Sequence, residues 1–404
     1  MPSAEPSKQA SQANPSSHSA RLILFLTVFL DLLGFGIVIP FLPMFALKLG
    51  ISAFGIGAIL AIYSAMQFLC APVLGRLSDR IGRRPIIMLG LIGSSAGYLI
   101  YGFAGSFVGL FISRLVHGAC AATVSTAQAY VADTTSEENR ARGMGMIGAA
   151  FGLGFVLGPA MGGLLGYSSL RVPVFFASAL TFANFVFAAL RLPESHHPEP
   201  GAAISFSKLA APLVNLPRQL VGHHLSRLFT IAFLVTFAIA AFETTFALMV
   251  PAVYGYGAFG IGAMLAFAGL MQALAQGYLL GKMVTRMGEV RVLMLGLAAF
   301  IVGLAPLAEM PSGGFVFLAL LFLSIGYGFA SPAVASIISK RSERHQQGEV
   351  LGVNQSALSL ARILGPLAGG LVYGMLGREA PYAGGAIVAV MAFILALGVD
   401  RGGA

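Results

Sequence analysis

Only two acidic side chains, Asp31 and Glu243, lie deep inside long apolar runs of this 404-residue chain. A charged group at a bilayer centre costs about 2.5 to 3.5 kcal/mol on insertion scales, so a carboxylate kept there needs a permanent partner or a function. A dry surrounding disfavours the charged form. Such a group takes up a proton from one side of a membrane and releases it to the other, which is the chemistry of proton coupling. Arg114 stands about 8 residues into its own apolar run, roughly 12 Å from the outer surface at 1.5 Å per residue. It is too deep to reach water and needs an acceptor. Next to Asp31, it would control when that carboxylate releases its proton. Arg362, four residues before Gly365-Pro366, reads as a structural cation. His117, three residues after Arg114, is expected as a packed neutral histidine, with a proton relay as the alternative.

Around these charges stand side chains suited to a lipophilic cation. Tyr63 and Gln67 are one helical turn apart, and Phe242 and Phe246 flank Glu243 in the same way. Asn354 and Gln355 are polar within an apolar run, and Phe35, Phe155, Gln272 and Tyr327 are candidate neighbours. Aromatic faces beside a carboxylate attract a cation through ring quadrupole and charge. Any one of these aromatics has simple helix packing as its plainer role.

The elements that hold these residues follow from composition. The chain is 57% hydrophobic and 10% charged, with 51 Gly and no Trp, whereas soluble proteins are about a quarter charged. Twelve apolar stretches run over 21–48, 52–75, 85–104, 106–131, 141–167, 171–192, 226–252, 257–281, 291–309, 313–338, 348–376 and 381–399. A dry bilayer core admits only helices and closed barrels, and barrel strands are about 10 residues long. The expectation is an all-α polytopic membrane protein of twelve transmembrane helices. Residues 1–20 read as a disordered cytoplasmic tail without the features of a cleaved signal, 193–225 as a cytoplasmic linker and 400–404 as a second tail.

With the N-terminus inside, nineteen of the 24 Lys and Arg fall in inner segments, three in outer loops, and two within helices. That asymmetry places both termini in the cytoplasm of a cell-membrane protein. The net charge of +9 is thus topological, and its scattered clusters exclude a nucleic-acid footprint. Two isolated cysteines, Cys70 and Cys120, and one intramembrane histidine do not assemble an enzyme site or a metal site. No P-loop is present for ATP-driven pumping, and the short loops speak against a receptor.

The two halves, 21–192 and 226–399, repeat one another. Pro72–Gly82 with Met88-Leu-Gly90 matches Tyr278–Gly288 with Met294-Leu-Gly296, Gly158–Gly163 matches Gly365–Gly370, and Met66-Gln67 matches Met271-Gln272. Their offsets lie within two residues of each other, so the chain is expected to form two pseudo-symmetric six-helix bundles with a binding site at the midplane between them.

Several stretches resemble a known family. Gly75-Arg-Leu-Ser-Asp79-Arg80-Ile-Gly82-Arg83-Arg84-Pro85 is similar to the signature loop of the major facilitator superfamily. Asp31–Pro40 resembles the first helix of tetracycline exporters, Arg114 with Gly118 the proton-transfer motif, and Gly154, Gly158, Pro159, Gly162 and Gly163 the antiporter motif of twelve-helix drug:proton antiporters. Ala241–Phe246 resembles helix seven of NorA-type multidrug exporters. The resemblance implies the major facilitator fold and a monomeric, proton-coupled antiporter exporting amphipathic, cationic drug-like compounds, with no cofactor beyond the proton gradient. It implies Asp31, Glu243 and Arg114 as coupling residues. Where those exporters carry a carboxylate in helix ten, this chain has Ile325-Gly-Tyr-Gly-Phe-Ala-Ser-Pro332. The alternative substrate for the same fold is a lipid, glycolipid or endogenous metabolite.

The loop carries a second expectation. Its basic residues anchor topology, while Asp79 among Arg76, Arg80, Arg83 and Arg84 forms a latch joining the inner ends of the two bundles in one state. The glycines of helix five are expected to make one smooth side for close helix packing.

Overall fold

The computed structural model describes residues 15–196, 225–309, 313–342 and 347–399. Among them, twelve helices are long and apolar enough to span a bilayer. The first six are α1 (Ala20–Lys48), α2 (Ala53–Ile81), α3 (Arg83–Phe103), α4 (Phe107–Thr134), α5 (Arg142–Leu165) and α6 (Val172–Arg191). The second six are α7 (Ser226–Tyr254), α8 (Ala258–Met287), α9 (Glu289–Leu307), α10 (Gly314–Arg341), α11 (Val350–Leu376) and α12 (Ala380–Leu397). Helix extends upstream of α1 to Pro15, inside the segment 1–20 expected to be a tail. Proline suits a first helical turn because its φ is already set and its missing N–H has no partner to lose there. The rest of that tail, most of the linker 193–225 and the tail 400–404 lie outside the described residues.

Local chemistry sets several boundaries. Ser52 and Ser106 cap α2 and α4, their hydroxyls accepting from the Gly55 and Gly109 amides at 3.2 and 3.3 Å. The α2–α3 and α8–α9 turns pass through Gly82 (φ +103°) and Gly288 (φ +80°), backbone that side-chain-bearing residues resist. Helix α4 is interrupted after Cys120, where Ala121 adopts ψ +64°.

Each half builds the same bundle. Helix α1 packs on α5 and α6, α3 on α4 and α6, and α2 on α4; the second half repeats this with α7 on α11 and α12, α9 on α10 and α12, and α8 on α10. The bundles meet along two seams, α2 with α11 and α5 with α8. Small residues set both. A Cβ at Gly57 would lie 2.2 Å from the Pro366 carbonyl oxygen and one at Gly370 2.3 Å from that of Ala53. Likewise Gly262 would meet Pro159 O at 2.5 Å, and Gly163 would meet Ala258 O at 3.1 Å. The hexapeptide Ala-Phe-Gly-Ile-Gly-Ala occurs at 53–58 and again at 258–263, so each seam pairs one copy with one Gly-Pro segment.

Helix α5 is smooth on two sides rather than the one expected. Gly154, Gly158 and Gly162 lie against Leu32, Gly36, Ile37 and Phe41 of α1, whereas Pro159 and Gly163 face α8. The copy in α11 does the same, with Gly365 and Gly369 on α7 and Pro366 and Gly370 on α2. Residues four apart share a face and their neighbours begin the next one, so one Gly-rich run serves the bundle and the seam together.

The seams close at one end only. One apolar core there joins both halves, bringing Phe41, Phe45, Ile56 and Tyr101 together with Phe246, Met249, Met264 and Tyr382. At the end that bears the basic loops the cores are separate, one around Leu24, Val28 and Tyr130 and another around Phe229, Ile337 and Val353. Gly75, Gly145, Gly148, Gly277, Gly281 and Gly352, on the basic ends of the four seam helices, have no neighbour within 4 Å of a built Cβ. The structure is sealed at one end and parted at the basic end.

Candidate substrate and proton site

The first bundle lines the parting with rings. Phe35 of α1 lies 5.6 Å from Tyr63 and 6.1 Å from Phe155, centroid to centroid, and Phe155 stacks on Phe151. Gln67, one turn from Tyr63, donates to the Ala121 carbonyl at 3.4 Å, meeting an oxygen left free where α4 is interrupted. Asp31 faces the hydroxyls of Thr123, just past that break, and Ser94 of α3.

Arg114 is elsewhere. It is fully buried, with its guanidinium carbon 5.6 Å from the Tyr98 ring and 5.4 Å from Tyr101, and its Nη atoms have no hydrogen-bond partner among the described residues. The expected pairing with Asp31 is absent. Asp31 is level with Thr123, and nine residues of α4 separate Thr123 from Arg114, about 13 Å at 1.5 Å per residue. His117 packs between Tyr63 and Tyr98 at 4.9 and 4.8 Å, with Nδ1 unpartnered. Tyr98 and Tyr101, which order this region, escaped the sequence reading; polar rings three residues apart in an apolar helix were the signal available.

The second bundle brings charge. Glu243 is exposed although Ala238–Phe242 and Thr244–Val250 around it are buried. Arg362 of α11 is exposed as well, lies against Tyr327 of α10, and its charge reaches both Glu243 and, across the seam, Tyr63. No ion pair joins Glu243 and Arg362 among the described residues. Gln355 is exposed further toward the basic end, and Gln272 lies half-buried on α8.

Three expected substrate contacts face away. Phe246 is fully buried, and Phe242 packs on it at 4.9 Å and on Tyr382 of α12 at 6.3 Å. Positions 242 and 246 share one side of α7, and 243 lies about 100° around the axis from 242. Asn354 is 6% exposed and turned into a cavity of about 40 Å³ inside the second bundle, lined also by Thr236 and Ser331.

The two carboxylates differ in depth. Gly158 meets Gly36 and Ile37 N while its copy Gly365 meets Ala240 and Ala241 N, and one turn on Gly162 meets Ile37 O while Gly369 meets Ala241 O, so Ala240 and Ala241 in α7 answer to Gly36 and Ile37 in α1. Asp31 therefore stands level with Val235 and Glu243 with Ile39, about 12 Å apart along the axis, with Glu243 nearer the seal.

Asp79, Arg83 and Arg84 of the loop bond within the first bundle among the described residues. Arg83 bonds Asp79, Ser78 (2.7 Å) and Asp133 of α4 (2.8 Å). Glu194, after α6, accepts from the Arg83 and Arg84 amides at 2.8 and 3.1 Å and caps α3. A Cβ at Gly82 would strike that carboxylate, and His196 Nε2 meets the Asp79 carbonyl at 3.0 Å. Among the described residues the expected link from Asp79 to the other bundle is not made, since the bundles are parted at this end. The second bundle clamps the equivalent place with charges reversed, as Glu289 pairs with Lys340 of α10 at 3.0 Å. Sequence reasoning missed Asp133 and Glu194, which act on residues 50 and 111 positions away.

The comparisons agree with this architecture. The Major Facilitator Superfamily model matches residues 24–280 and 228–403. The chain belongs to that superfamily. It is therefore a multi-pass membrane transporter of small molecules rather than an enzyme. The tetracycline resistance protein, class C, of Escherichia coli is 35% identical over 376 residues, covering 88% of this chain and 90% of that protein. Multidrug resistance protein 2 of Bacillus subtilis (strain 168) is 32% identical over 355 residues, covering 87% of this chain and 88% of its own. The crystal structure of the human organic anion transporter MFSD10 superposes with a TM-score of 0.71 at 28% identity, covering 95% of this chain and 100% of that one.

Proposed function

We propose that this superfamily member is a proton-coupled antiporter that exports amphipathic, cationic drug-like compounds by alternating access, acting as a monomer without a cofactor. One observation carries the reading: Glu243 is open to a parting between two bundles that are sealed at the far end, although the helix around it is buried. A carboxylate so placed has two uses, to hold a cation and to hold a proton. The second use displaces the first. Asp31, about 12 Å nearer the basic end, supplies a second proton station facing Thr123 and Ser94.

The distribution of Lys and Arg turns the basic end toward the cytoplasm, so the structure corresponds to the state that loads substrate from inside. The tetracycline and multidrug resistance relatives support export and a role in antibiotic resistance. The organic anion transporter favours a second reading, in which the substrate carries an anionic group.

Proteoliposomes with an imposed pH gradient test the proposal. A cationic dye, a quinolone, a tetracycline and a lipid analogue are offered in turn. Uphill movement of at least one drug, abolished by collapsing the gradient, is expected. Movement independent of the gradient overturns coupling, and movement of the lipid analogue alone establishes the lipid alternative.

A further inference from the structure

The antiporter motif of α5 and its copy in α11 place Phe155 and Arg362 at the same point of the two seams. Each stands one turn from the seal toward the basic end, Phe155 before Pro159 and Gly163, Arg362 before Pro366 and Gly370. In α5 the position is filled by a ring that joins the wall of Phe35 and Tyr63. In α11 it is filled by an exposed guanidinium. A mere packing residue in that register would be apolar or small, as in the sister helix.

Arg362 is not spent on Glu243. The two side chains come from adjacent helices, both are exposed, and no ion pair forms between them. Tyr327 lies against the guanidinium on one side, and Tyr63 of the opposite bundle is within reach of its charge. The parting therefore offers a carboxylate, a guanidinium set apart from it, and a facing wall of rings. A lone cation would satisfy the carboxylate and be repelled by the arginine; a flat molecule bearing both signs would satisfy both groups.

We propose that Arg362 recognises an anionic group of the substrate, so that the chain prefers aromatic zwitterions whose cationic end goes to Glu243. This rests on the reading that the parting is the substrate site. Arg rather than Lys suits the task, because its planar fork binds a carboxylate through two parallel hydrogen bonds.

The test uses a quinolone bearing a piperazinium and a carboxylate, and its methyl ester, which keeps the rings and the cation but loses the anion. Binding of each is measured in detergent for wild type, Arg362→Gln and Arg362→Lys. Wild type should bind the acid about ten- to a hundredfold more tightly than the ester, the worth of one hydrogen-bonded charge contact. That ratio should fall to about one in Arg362→Gln and stay intermediate in Arg362→Lys. A wild-type ratio near one overturns the proposal even if the variants fail to fold, and so does an unchanged ratio in a folded Arg362→Gln. Binding needs no gradient, so vesicles that fail to concentrate either probe would strike the transport reading and leave this preference measurable.

Discussion

A single methyl group placed at either seal should push the molecule out of the state described above. In Gly57→Ala the new Cβ would lie 2.2 Å from the Pro366 carbonyl oxygen, and in Gly262→Ala 2.5 Å from that of Pro159. Close carbon–oxygen contacts begin near about 3.3 Å, so α2 and α11 must separate by about 1.1 Å, and α8 and α5 by about 0.8 Å. The obstacle is backbone in both cases and cannot rotate aside. Overpacking of this kind costs about 1 to 3 kcal/mol. The alanine also gains about 1 kcal/mol of helix propensity, but it does so in every state and cancels from the equilibrium between them. On the proposed alternating access the sealed-end contacts exist only while the basic end is parted, so the population should shift toward the opposite state by about 5- to 150-fold. The seals are independent contacts on different helix pairs, and the double variant should shift further, by nearly the sum. Nitroxides at Gly145 with Gly277, and at Gly75 with Gly352, report the parting without strain, because nothing lies within 4 Å of a Cβ at any of them. Cys70 and Cys120 are free thiols and would be replaced by serine. Pulsed electron resonance should show the long-distance population shrinking in both variants and unchanged in Gly148→Ala, whose Cβ meets open space. Unaltered distance distributions in Gly57→Ala and Gly262→Ala, with thermal stability retained, would refute the argument.

Four further outcomes are expected. Glu243→Gln and Asp31→Asn should each abolish uphill drug movement in vesicles while leaving a folded protein; unchanged accumulation ratios in both would remove them from coupling. Binding of a permanent cation should weaken as pH falls through the range in which Glu243 takes up its proton, by up to about tenfold or 1.4 kcal/mol per unit, and titration calorimetry on Glu243→Gln should give a flat profile; the same slope in that variant excludes competition at this residue. Asp79→Asn keeps the positive charges, so insertion should persist while exchange between states changes; normal transport rates with normal accessibility of cysteine probes at the basic end would leave the loop a topological anchor. Glu194→Ala removes the oxygens that cap α3 and should cost about 0.5 to 2 kcal/mol, seen as faster hydrogen exchange at the Arg83 and Arg84 amides; protection equal to wild type would show that the cap contributes nothing.

Much of the scaffold could be read from a linear pattern because the bilayer restricts the choice. Backbone groups in hydrocarbon must bond within their own segment, so apolar run length alone located the spans. The repeat offsets identified the bundles for the same reason, since duplication copies a whole packing unit. The seams were half legible. Gly158-Pro159 and Gly365-Pro366 were visible as repeats, but their partners in Ala53–Ala58 and Ala258–Ala263 were not connected with them. Which helices touch is not written in periodicity. The two-sidedness of α5 could have been read by sorting its glycines into sets four apart. The interruption of α4 at Ala121–Ala122 could not, as no proline or glycine stands there.

The site was harder because its geometry depends on depth, and helices of similar composition carry no depth marker. Pairing Arg114 with Asp31 failed on a register of about 13 Å, and choosing Phe242 and Phe246 failed on about 100° of rotation about α7. Once contacts such as Gly36 with Gly158 and Ala240 with Gly365 fix the register, the two copies can be compared position by position. Their helices pair in the same pattern, so a difference of charge at matched positions is not a requirement of that packing. Differences of charge at matched positions include Asp31 against Val235, Ile39 against Glu243, Phe155 against Arg362, Arg83 against Glu289, and Arg114 against a leucine of the pair Leu320 and Leu321. Glu243 and Arg362 are exposed at the parting, and Arg83 and Glu289 clamp the basic ends of their bundles. On the proposed function, these breaks of symmetry are where a proton, a substrate charge or a change of state is handled on one side only.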